Sequence, residues 1–316
     1  MKSLAENFVY LSGLRYWMSP EESAAAPVGR LAALEDFGSN PGELGAHYHI
    51  PASCPPRAPL VVVLHGCTQS AAAYDHHAGW SQLADEAGFA VLYPEQQQAN
   101  NPNLCFNWFQ PGDIRRDGGE AHSIRQMIEA LIVRHDLDSD RIFITGLSAG
   151  GAMAAVMLAT YPELFASGAV IAGLAYGGAN TMFEALDCMR GSRASSDADL
   201  LGLVQSASSH GGPWPSITIW QGAADHTVAP SNADHISAQW RGIHDLGAVP
   251  DRSETLGIRV RQSWCDEKGN TLVEVNTLQD MGHGAPVGDD LGSAGPYMLA
   301  VGVSSTREIA QFWQIS

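Results

Sequence analysis

The sequence predicts an α/β fold with a mostly parallel central sheet flanked by helices. Apolar runs of strand length alternate with segments of helical periodicity through the middle of the chain, which is typical of βαβ units. A hydrophobic content of 45% over 316 residues is enough for one large core. Leu60-Val-Val-Val-Leu64 is apolar at every position, as expected for a central strand that is buried on both faces.

The predicted elements follow in chain order from these two periodicities. A continuous apolar run predicts a strand, as at 89–93, where Pro94 ends the run, and apolar residues three and four apart predict a helix, as from Ile124 onward. Strands are predicted at 46–50, 60–64, 89–93, 141–145, 169–171, 217–220, 258–264 and 271–278. Helices are predicted at 81–87, from 124 to a turn at 136–140, after 148, at 198–204 and at 306–313. Glu267-Lys-Gly-Asn270 predicts a hairpin turn between the last two strands.

Two segments depart from this alternation. Residues 1–45 mix Pro, Ala and Glu without periodicity and are expected to form an N-terminal extension, followed by a single α/β domain at 46–316. Residues 173–215 are rich in Ala, Gly and Ser. Folds of this class insert a lid or cap at this point, and a plain surface excursion explains the composition equally well.

Composition narrows the classes of partner. The formal net charge is −17, so nucleic acid or an anionic membrane surface would repel this chain, whereas a neutral or weakly charged substrate suits it. No apolar stretch approaches the length that crosses a bilayer, and residues 1–17 lack the uninterrupted apolar run of a signal peptide. The five cysteines allow one or two disulfides but do not require any. Because disulfides persist only in oxidising compartments, the cellular location is open. The oligomeric state is open as well.

Gly146-Leu-Ser-Ala-Gly150 is a G-x-S-x-G pentapeptide in an informative context. A β-branched strand precedes it, and a small, apolar helical segment follows it. Strand, sharp turn and helix are the setting of a nucleophile elbow, in which the glycines permit a strained backbone and a close approach of helix to strand. Ser148 is therefore the candidate catalytic nucleophile.

A serine hydroxyl needs a base within hydrogen-bond reach, and that base needs a carboxylate to orient it. In α/β-hydrolases the acid and then the base follow the serine, each on a loop after a later strand. Asp225 follows the strand at 217–220 through a turn of small residues, whereas Asp234 falls on the next helix, so Asp225 is the expected acid. His283 stands in a glycine-flanked loop directly after the strand at 271–278 and is the expected base.

Other histidines have simpler explanations. His226 is too close in sequence to Asp225 to face it well, and His65 is interpreted as structural, holding the loop after the first central strand. His47 and His49 alternate on a strand, but a metal site needs a third ligand nearby, and the sequence offers none there. No metal is expected.

The oxyanion of a tetrahedral intermediate requires preorganised donors. One is the backbone N–H of the residue after the nucleophile, here Ala149. The second comes from the loop after the early central strand, His65-Gly-Cys-Thr-Gln69. The N–H of Cys67 is the first choice, and the N–H of Gly66 would serve if the loop turned one residue earlier.

Several motifs occur in the same order as in a known family. They are Leu64-His-Gly-Cys-Thr-Gln69, Tyr93-Pro-Glu-Gln96, Cys105-Phe-Asn-Trp-Phe109, Gly146-Leu-Ser-Ala-Gly-Gly-Ala-Met153, Gln221-Gly-Ala-Ala-Asp225 and Gly282-His-Gly284. From about Phe37 to its C-terminus the chain resembles the polyhydroxybutyrate-depolymerase-type esterases, a family that includes feruloyl and acetylxylan esterases. The resemblance implies an α/β-hydrolase fold, hydrolysis of carboxylic esters and no cofactor.

The resemblance implies further features that spacing alone does not give. It suggests a disulfide between Cys67 and Cys105, with two buried thiols as the alternative, and an extracellular or periplasmic location. Secreted members that attack solid polymer carry a signal peptide, a linker and a binding module, and none of these is visible here. Soluble oligomers and aryl esters are therefore open as substrates. Trp108 and Trp220 are tentative pocket residues, with Trp264 less favoured and core packing as the alternative for each.

The resulting expectation is a serine esterase that forms an acyl-enzyme on short-chain, hydroxyalkanoate or aryl esters of the feruloyl type. Two alternatives stay open. The same triad supports a peptidase or an acyltransferase on related folds, and a catalytically silent binding protein could keep the fold without the activity.

Overall fold

The computed structural model describes residues 29–193 and 195–316, and its centre is a ten-stranded sheet. The strands are β1 (Ala32–Ala33), β2 (Gly45–His49), β3 (Leu60–Leu64), β4 (Ala90–Glu95), β5 (Ile142–Leu147), β6 (Ser167–Ile171), β7 (Ser216–Gly222), β8 (Arg252–Leu256), β9 (Arg259–Cys265), β10 (Thr271–Leu278), β11 (Ala285–Val287) and β12 (Met298–Ala300). The last two pair with each other in a separate small sheet.

The helices connect these strands. They are α1 (Ala71–Ala78), α2 (Trp80–Ala87), α3 (Gly119–His135), α4 (Ala149–Thr160), α5 (Met182–Met189), α6 (Asp197–Ala207), α7 (Ser231–Ile243) and α8 (Ser305–Phe312), with one 3₁₀ turn at Pro162–Leu164. Both α1 and α2 end at a glycine in the left-handed conformation, Gly79 and Gly88, a common way to end a helix.

The sheet has the strand order β1-β2-β4-β3-β5-β6-β7-β10-β9-β8. The six strands from β4 to β10 in this order run parallel, and the outer strands on both sides pair antiparallel. Parallel neighbours place their carboxyl ends at one edge, so the loops after β3, β5, β7 and β10 meet there. This edge contains every residue predicted for catalysis.

The core lies on both faces of the sheet. Leu60, Val62 and Leu64 of β3 pack with α3, α4 and α7 on one face, and Val61 and Val63 pack with α1, α2 and α8 on the other. Alternate side chains of a strand point to opposite faces, so a strand that is apolar at every position is buried on both. The doubly covered parallel sheet is the predicted architecture.

Most strand bounds differ from the sequence prediction by one or two residues, and two of these differences have a clear physical reason. β4 continues through Pro94 to Glu95, because β4 pairs with β3 only as far as Leu92 and the missing N–H of Pro94 breaks no bond there. The strand predicted at 46–50 lies at Gly45–His49 and is not the edge of the sheet, since β1 pairs outside it.

Some elements gave no sequence signal. All five residues of β8 are exposed, so it lacks the alternation that marks a half-buried strand. The exposed side chains of Met182 and Phe183 likewise disrupt the apolar pattern of α5. A short solvated element is recognisable only after its neighbours are placed.

The two irregular segments contain packed structure. Within 173–215, α5 and α6 are present, and Leu200 and Val204 of α6 are buried at its contact with α4 and α7. Of the predicted N-terminal extension, residues 29–45 include β1 and the buried side chains of Leu34 and Leu44, and residues 1–28 lie outside the described residues. Among the described helices, none combines the length and apolar character that crossing a bilayer requires.

Candidate active site

Ser148 occupies the turn between β5 and α4, with its backbone at φ 57° and ψ −117°. This conformation is strained for a residue with a side chain and persists because the surroundings hold it. The N–H of Ser148 donates to the carbonyl oxygen of Ile171 on β6, at 2.9 Å. A Cβ at Gly146 would overlap the carbonyl of Gly150, and a Cβ at Gly150 would overlap the carbonyl of Leu64. Only glycines allow α4 this close to the sheet.

His283 and Asp225 complete a chain of hydrogen bonds with the serine. The imidazole Nε2 lies 3.0 Å from Ser148 Oγ, and Nδ1 lies 2.7 Å from Asp225 Oδ2. A carboxylate only accepts hydrogen bonds, so Nδ1 carries the proton that is donated to Asp225. The lone pair of Nε2 is then available to the hydroxyl of Ser148, which is the tautomer that a general base requires.

The carboxylate of Asp225 is fully buried and held from several directions. Oδ1 accepts the backbone N–H groups of Thr227 and Val228, both at 2.8 Å. Oδ2 accepts from the side-chain amide of Gln221 at 3.1 Å in addition to His283. These donors compensate the lost hydration of the charge and leave the carboxylate one orientation.

The loops that carry the acid and the base are joined through their backbones. Ala224 N–H donates to the carbonyl of Met281 at 2.9 Å, and Ala223 N–H donates to that of Leu278 at 2.8 Å. A Cβ at Gly222 would overlap the carbonyl oxygens of Met281 and Gly282. The spacing between Asp225 and His283 is therefore set by backbone contacts as well as by their own hydrogen bond.

The two backbone N–H groups expected to bind the oxyanion, those of Cys67 and Ala149, have no acceptor among the described residues. The N–H of Gly66, the alternative donor, is already bonded to Gln69 Oε1 at 2.8 Å. This contact favours Cys67 over Gly66 as the second donor to an oxyanion. Ala149 is the first residue of α4, where the helix dipole also favours negative charge.

His65 orients the peptide that bears the Cys67 N–H. Its Nδ1 lies 2.8 Å from the carbonyl oxygen of Gly66, and its Nε2 accepts the backbone N–H of Gln96 at 3.1 Å. Burial lowers the pKa of His65, so the ring is neutral and Nδ1–H is the donor. Because C=O and N–H point in opposite directions in a trans peptide, this bond sets the direction of the Cys67 N–H. His65 thus has the structural role expected for it, because it holds the loop 65–69, called the oxyanion loop below.

The loop that follows β4 is tied to the same region. Cys105 forms a disulfide with Cys67, the pairing that the family resemblance suggested. The carboxylate of Glu120 is buried at the start of α3 and accepts the backbone N–H and side-chain amide of Asn107, both at 2.8 Å, and the amide of Gln96 at 2.6 Å. Glu120 thus connects the loop that contains Asn107 and Trp108, called the Trp108 loop below, to Gln96, whose N–H donates to His65.

Comparison of this chain with known proteins identifies its family. Residues 45–252, more than half of the chain, match the family described as Esterase PHB depolymerase. The chain belongs to this family.

Individual relatives agree with the family match. Poly(3-hydroxyalkanoate) depolymerase C of Paucimonas lemoignei is 44% identical over 298 residues, which cover 92% of this chain and 72% of the relative. An acetylxylan esterase of Coprinopsis cinerea is 33% identical over 267 residues, which cover 82% of this chain and 70% of the relative. The solved acetyl xylan esterase from Aspergillus awamori has a TM-score of 0.79 at 23% identity, covering 91% of this chain and all of that one (100%).

These comparisons confirm the α/β-hydrolase fold and the resemblance to PHB-depolymerase-type esterases. The chain is a carboxylic ester hydrolase, as its relatives are.

The predicted pocket tryptophans differ in position. Trp220 of β7 is 1% exposed and lies in the core with the guanidinium of Arg259 5.2 Å from its ring, so a substrate has no access to it here. The structure thus places Trp220 in the core rather than in a pocket, because β7 is covered on both faces. Trp264 is also buried. Trp108 is 6% exposed and packs edge-on against Phe109 at 5.4 Å, beside the disulfide loop.

The aspartate and the histidines not chosen as the acid or the base take no part in the hydrogen bonds from Ser148 to Asp225. Asp234 is exposed on α7, and His226 is exposed beside Asp225. His47 lies 3.7 Å from Glu95, and His49 lies 2.7 Å from Asp85, each pair on the surface of the sheet's antiparallel side. Within 29–193 and 195–316, no group of three or more acidic, histidine or cysteine residues is arranged to hold a metal ion.

Three residues near the site of this esterase were not singled out from the sequence as participants. Gln69 holds Gly66, Glu120 holds the Trp108 loop, and the ring of Tyr297 lies 6.0 Å from that of His283. Gln69 belongs to a recognisable motif and could have been found from it. An acidic residue in the first turn of a helix is ordinary, and Tyr297 stands in a loop without periodicity, so neither gave a signal.

Proposed function

We propose that this esterase hydrolyses esters of hydroxyalkanoic acids, as polymer or oligomer, through an acyl-enzyme on Ser148. The observation that carries the proposal is the chain of hydrogen bonds from Ser148 through His283 to Asp225, with distances of 3.0 and 2.7 Å. Each of these contacts lies within the range in which a base can take a proton from a serine hydroxyl.

In the acylation step, Ser148 Oγ attacks the ester carbonyl carbon while its proton passes to His283 Nε2. The imidazolium that forms is paired with the buried carboxylate of Asp225, which stabilises its positive charge. The proton then moves from Nε2 to the oxygen of the leaving alcohol, and the acyl group stays on Ser148.

The carbonyl oxygen becomes an oxyanion in the tetrahedral intermediate. The N–H groups of Cys67 and Ala149, which have no acceptor among the described residues, are the proposed donors to it. Because they are held in place before substrate arrives, they cost no reorganisation during the reaction. Water then attacks the acyl-enzyme by the same steps, with His283 as the base, and releases the acid.

The choice of hydroxyalkanoate esters rests on the relative that is 44% identical over 92% of the chain and is a poly(3-hydroxyalkanoate) depolymerase. Acetyl esters of xylan are the second candidate, supported by the acetylxylan esterase that is 33% identical over 82% of the chain. Both are neutral or weakly charged substrates, which suits a protein of net charge −17.

The test combines a substrate panel with replacement of Ser148. Wild-type protein is expected to hydrolyse hydroxybutyrate oligomers faster than acetylated xylan, methyl ferulate or an amide analogue, and to react with a fluorophosphonate probe. Ser148→Ala should lower kcat by at least about 10⁴-fold and abolish labelling. Ser206→Ala, an exposed serine on α6, is the matched control and should change neither.

Each outcome has one interpretation. Full turnover in Ser148→Ala would refute the mechanism, and preference for acetylated xylan would select the second candidate. Faster cleavage of the amide would indicate a peptidase, and transfer of the acyl group to an added alcohol in place of water would indicate an acyltransferase.

A further inference from the structure

Tyr297 lies beside the base of the proposed catalytic site. The ring centroids of Tyr297 and His283 are 6.0 Å apart, and the planes meet at 75°, an edge-to-face arrangement. The imidazole is nearly buried, with 10% of its side chain exposed, whereas Tyr297 is 39% exposed. Part of an aromatic surface is therefore open to solvent next to the reacting group.

The backbone at Tyr297 is unusual. Its φ is +61°, a conformation that few residues other than glycine adopt, so the surrounding contacts must hold it there. The carbonyl of Tyr297 accepts the N–H of Ala285 at 2.8 Å, and the carbonyl of Pro296 accepts the amide of Gln69 at 3.1 Å. Gln69 in turn holds the N–H of Gly66.

These contacts join the segment 296–297 to the two parts of the site that follow β10 and β3. Ala285 is the first residue of β11, two residues after His283, and Gln69 is the last residue of the loop 65–69 that carries the Cys67 N–H. Tyr297 is also the third residue of a tight turn, in which the N–H of Met298 donates to the carbonyl of Gly295 at 2.9 Å. The backbone from which the Tyr297 ring extends is thus fixed relative to the loops of His283 and Gln69.

The chemistry of the reaction indicates which part of the substrate meets this ring. The acyl carbon is bonded to Ser148 Oγ, while the leaving oxygen must lie within about 3 Å of His283 Nε2 to receive its proton. A group packed against His283 therefore faces the alcohol portion of the ester. With the ring centroid 6.0 Å from that of His283, we expect a methyl group on the leaving oxygen to end short of the ring and an alcohol of several carbons to extend to it.

We propose that Tyr297 is a specificity-determining residue that contacts the alcohol portion of the ester and favours bulky alcohols with apolar or sugar-like C–H surfaces. The inference rests on the proposed function and deepens it. In a hydroxyalkanoate chain this portion is the next hydroxyacid unit, and in an acetylated polysaccharide it is a sugar ring. Both present C–H groups that pack on an aromatic face.

The experiment compares esters that share one acyl group. Methyl butyrate and cyclohexyl butyrate give the same butyryl-enzyme, so its hydrolysis is common to both and any difference in kcat/KM arises before it. Tyr297→Ala should lower kcat/KM for the cyclohexyl ester about five- to tenfold and for the methyl ester less than twofold. Tyr297→Phe should keep the wild-type ratio, because the ring makes the contact.

The controls separate this role from others. Val133→Ala, an exposed apolar residue on α3, should leave both rates unchanged, and thermal unfolding would show that each variant folds. In a second series, methyl butyrate and methyl hexanoate should respond equally to Tyr297→Ala. The ratio of these two rates reports contact with the acyl chain.

Several results would overturn the proposal. An equal loss on both butyrates would mean that Tyr297 supports His283 without sorting substrates, and a loss that follows acyl length would put the ring on the acyl side. An unchanged ratio in Tyr297→Ala would mean that the ring does not touch the alcohol. If wild-type protein hydrolyses none of these esters, the proposed function fails first, so the two failures are distinguishable.

Discussion

Asp225 and Glu120 are both buried acidic residues that hold loops of the site, and their environments differ in one respect. Asp225 accepts hydrogen bonds from two backbone N–H groups, one amide and the imidazole of His283. Glu120 accepts from the backbone N–H of Asn107 and from amides of Asn107 and Gln96, with a longer contact from Asn100 at 3.3 Å. Only Asp225 has a partner that can gain a charge.

The difference separates two uses of a buried acidic side chain. A carboxylate beside an imidazole can stabilise an imidazolium as it forms, which is an electrostatic contribution to the reaction. An acidic side chain surrounded by neutral amide and backbone donors can only hold those groups in place. On this basis Asp225 acts on the chemistry, whereas Glu120 organises the loop that follows β4.

The two sides of the site also differ in how they are joined. The acid and base loops are held together by hydrogen bonds alone, such as Ala224 N–H to the carbonyl of Met281. The Glu120 side has a covalent link, the disulfide between Cys67 and Cys105, which closes a loop of 38 residues. Replacing Asp225 therefore tests the reaction rate, and removing the disulfide on the Glu120 side tests the stability of the fold.

The largest expected effect is on the Asp225 side. Asp225→Asn would present an amide to His283, which favours the wrong imidazole tautomer and cannot stabilise an imidazolium. We expect kcat on a p-nitrophenyl butyrate substrate to fall about 10⁴-fold, with little change in KM. Asp234→Asn, an exposed aspartate on α7, is the control and should keep wild-type rates. Equal activity in the two variants would contradict the distinction.

The next effect is on stability. Replacing both Cys67 and Cys105 with alanine removes the link that restricts the unfolded chain, and a loop of 38 residues corresponds to about 4 kcal/mol in the chain-entropy model. Urea unfolding should show a decrease of that size in the free energy of unfolding. Cys54→Ala, which removes a free thiol, serves as the control. A double variant as stable as this control would show that the disulfide contributes nothing to the folded protein.

The sequence could predict one side of this comparison better than the other. Ser148, Asp225 and His283 each stand directly after a strand with a clear pattern, and in a parallel sheet the ends of such strands converge. The bounds of β10, Thr271–Leu278, were predicted from the same pattern. The structure brings the three side chains within hydrogen-bond distance.

Glu120 and Tyr297 could not be predicted in this way. Glu120 is indistinguishable from any acidic residue that opens a helix until the loop of Asn107 folds over it. Tyr297 reaches His283 only because two carbonyl contacts hold a strained backbone, and backbone strain leaves no periodic pattern. Trp220 is the opposite case, since an aromatic residue beside a predicted acid loop suggests a pocket until both faces of β7 are seen to be covered.

The smallest expected effect tests the charge of Glu120. Burial raises the pKa of Glu120 to about 8 from 4.5, and Asp113 adds to this, although the hydrogen bonds from Asn107 and Gln96 oppose it. Between pH 4.5 and 8 the folded protein then binds more protons at this site than the unfolded chain does. This contribution to stability is fully present below pH 4.5 and is lost as pH rises toward 8, at up to about 1.4 kcal/mol per pH unit.

Glu120→Gln removes this titration while keeping the side chain's size. We therefore expect the free energy of unfolding of wild type, minus that of the variant, to fall steadily when urea unfolding is measured at pH 5, 6.5 and 8. Glu129→Gln, exposed on the same helix, is the control for replacing an acidic side chain by its amide. If the difference instead stays constant from pH 5 to 8, Glu120 is ionised in the folded protein over this whole range, and both buried acids are then anions that differ only in their partners.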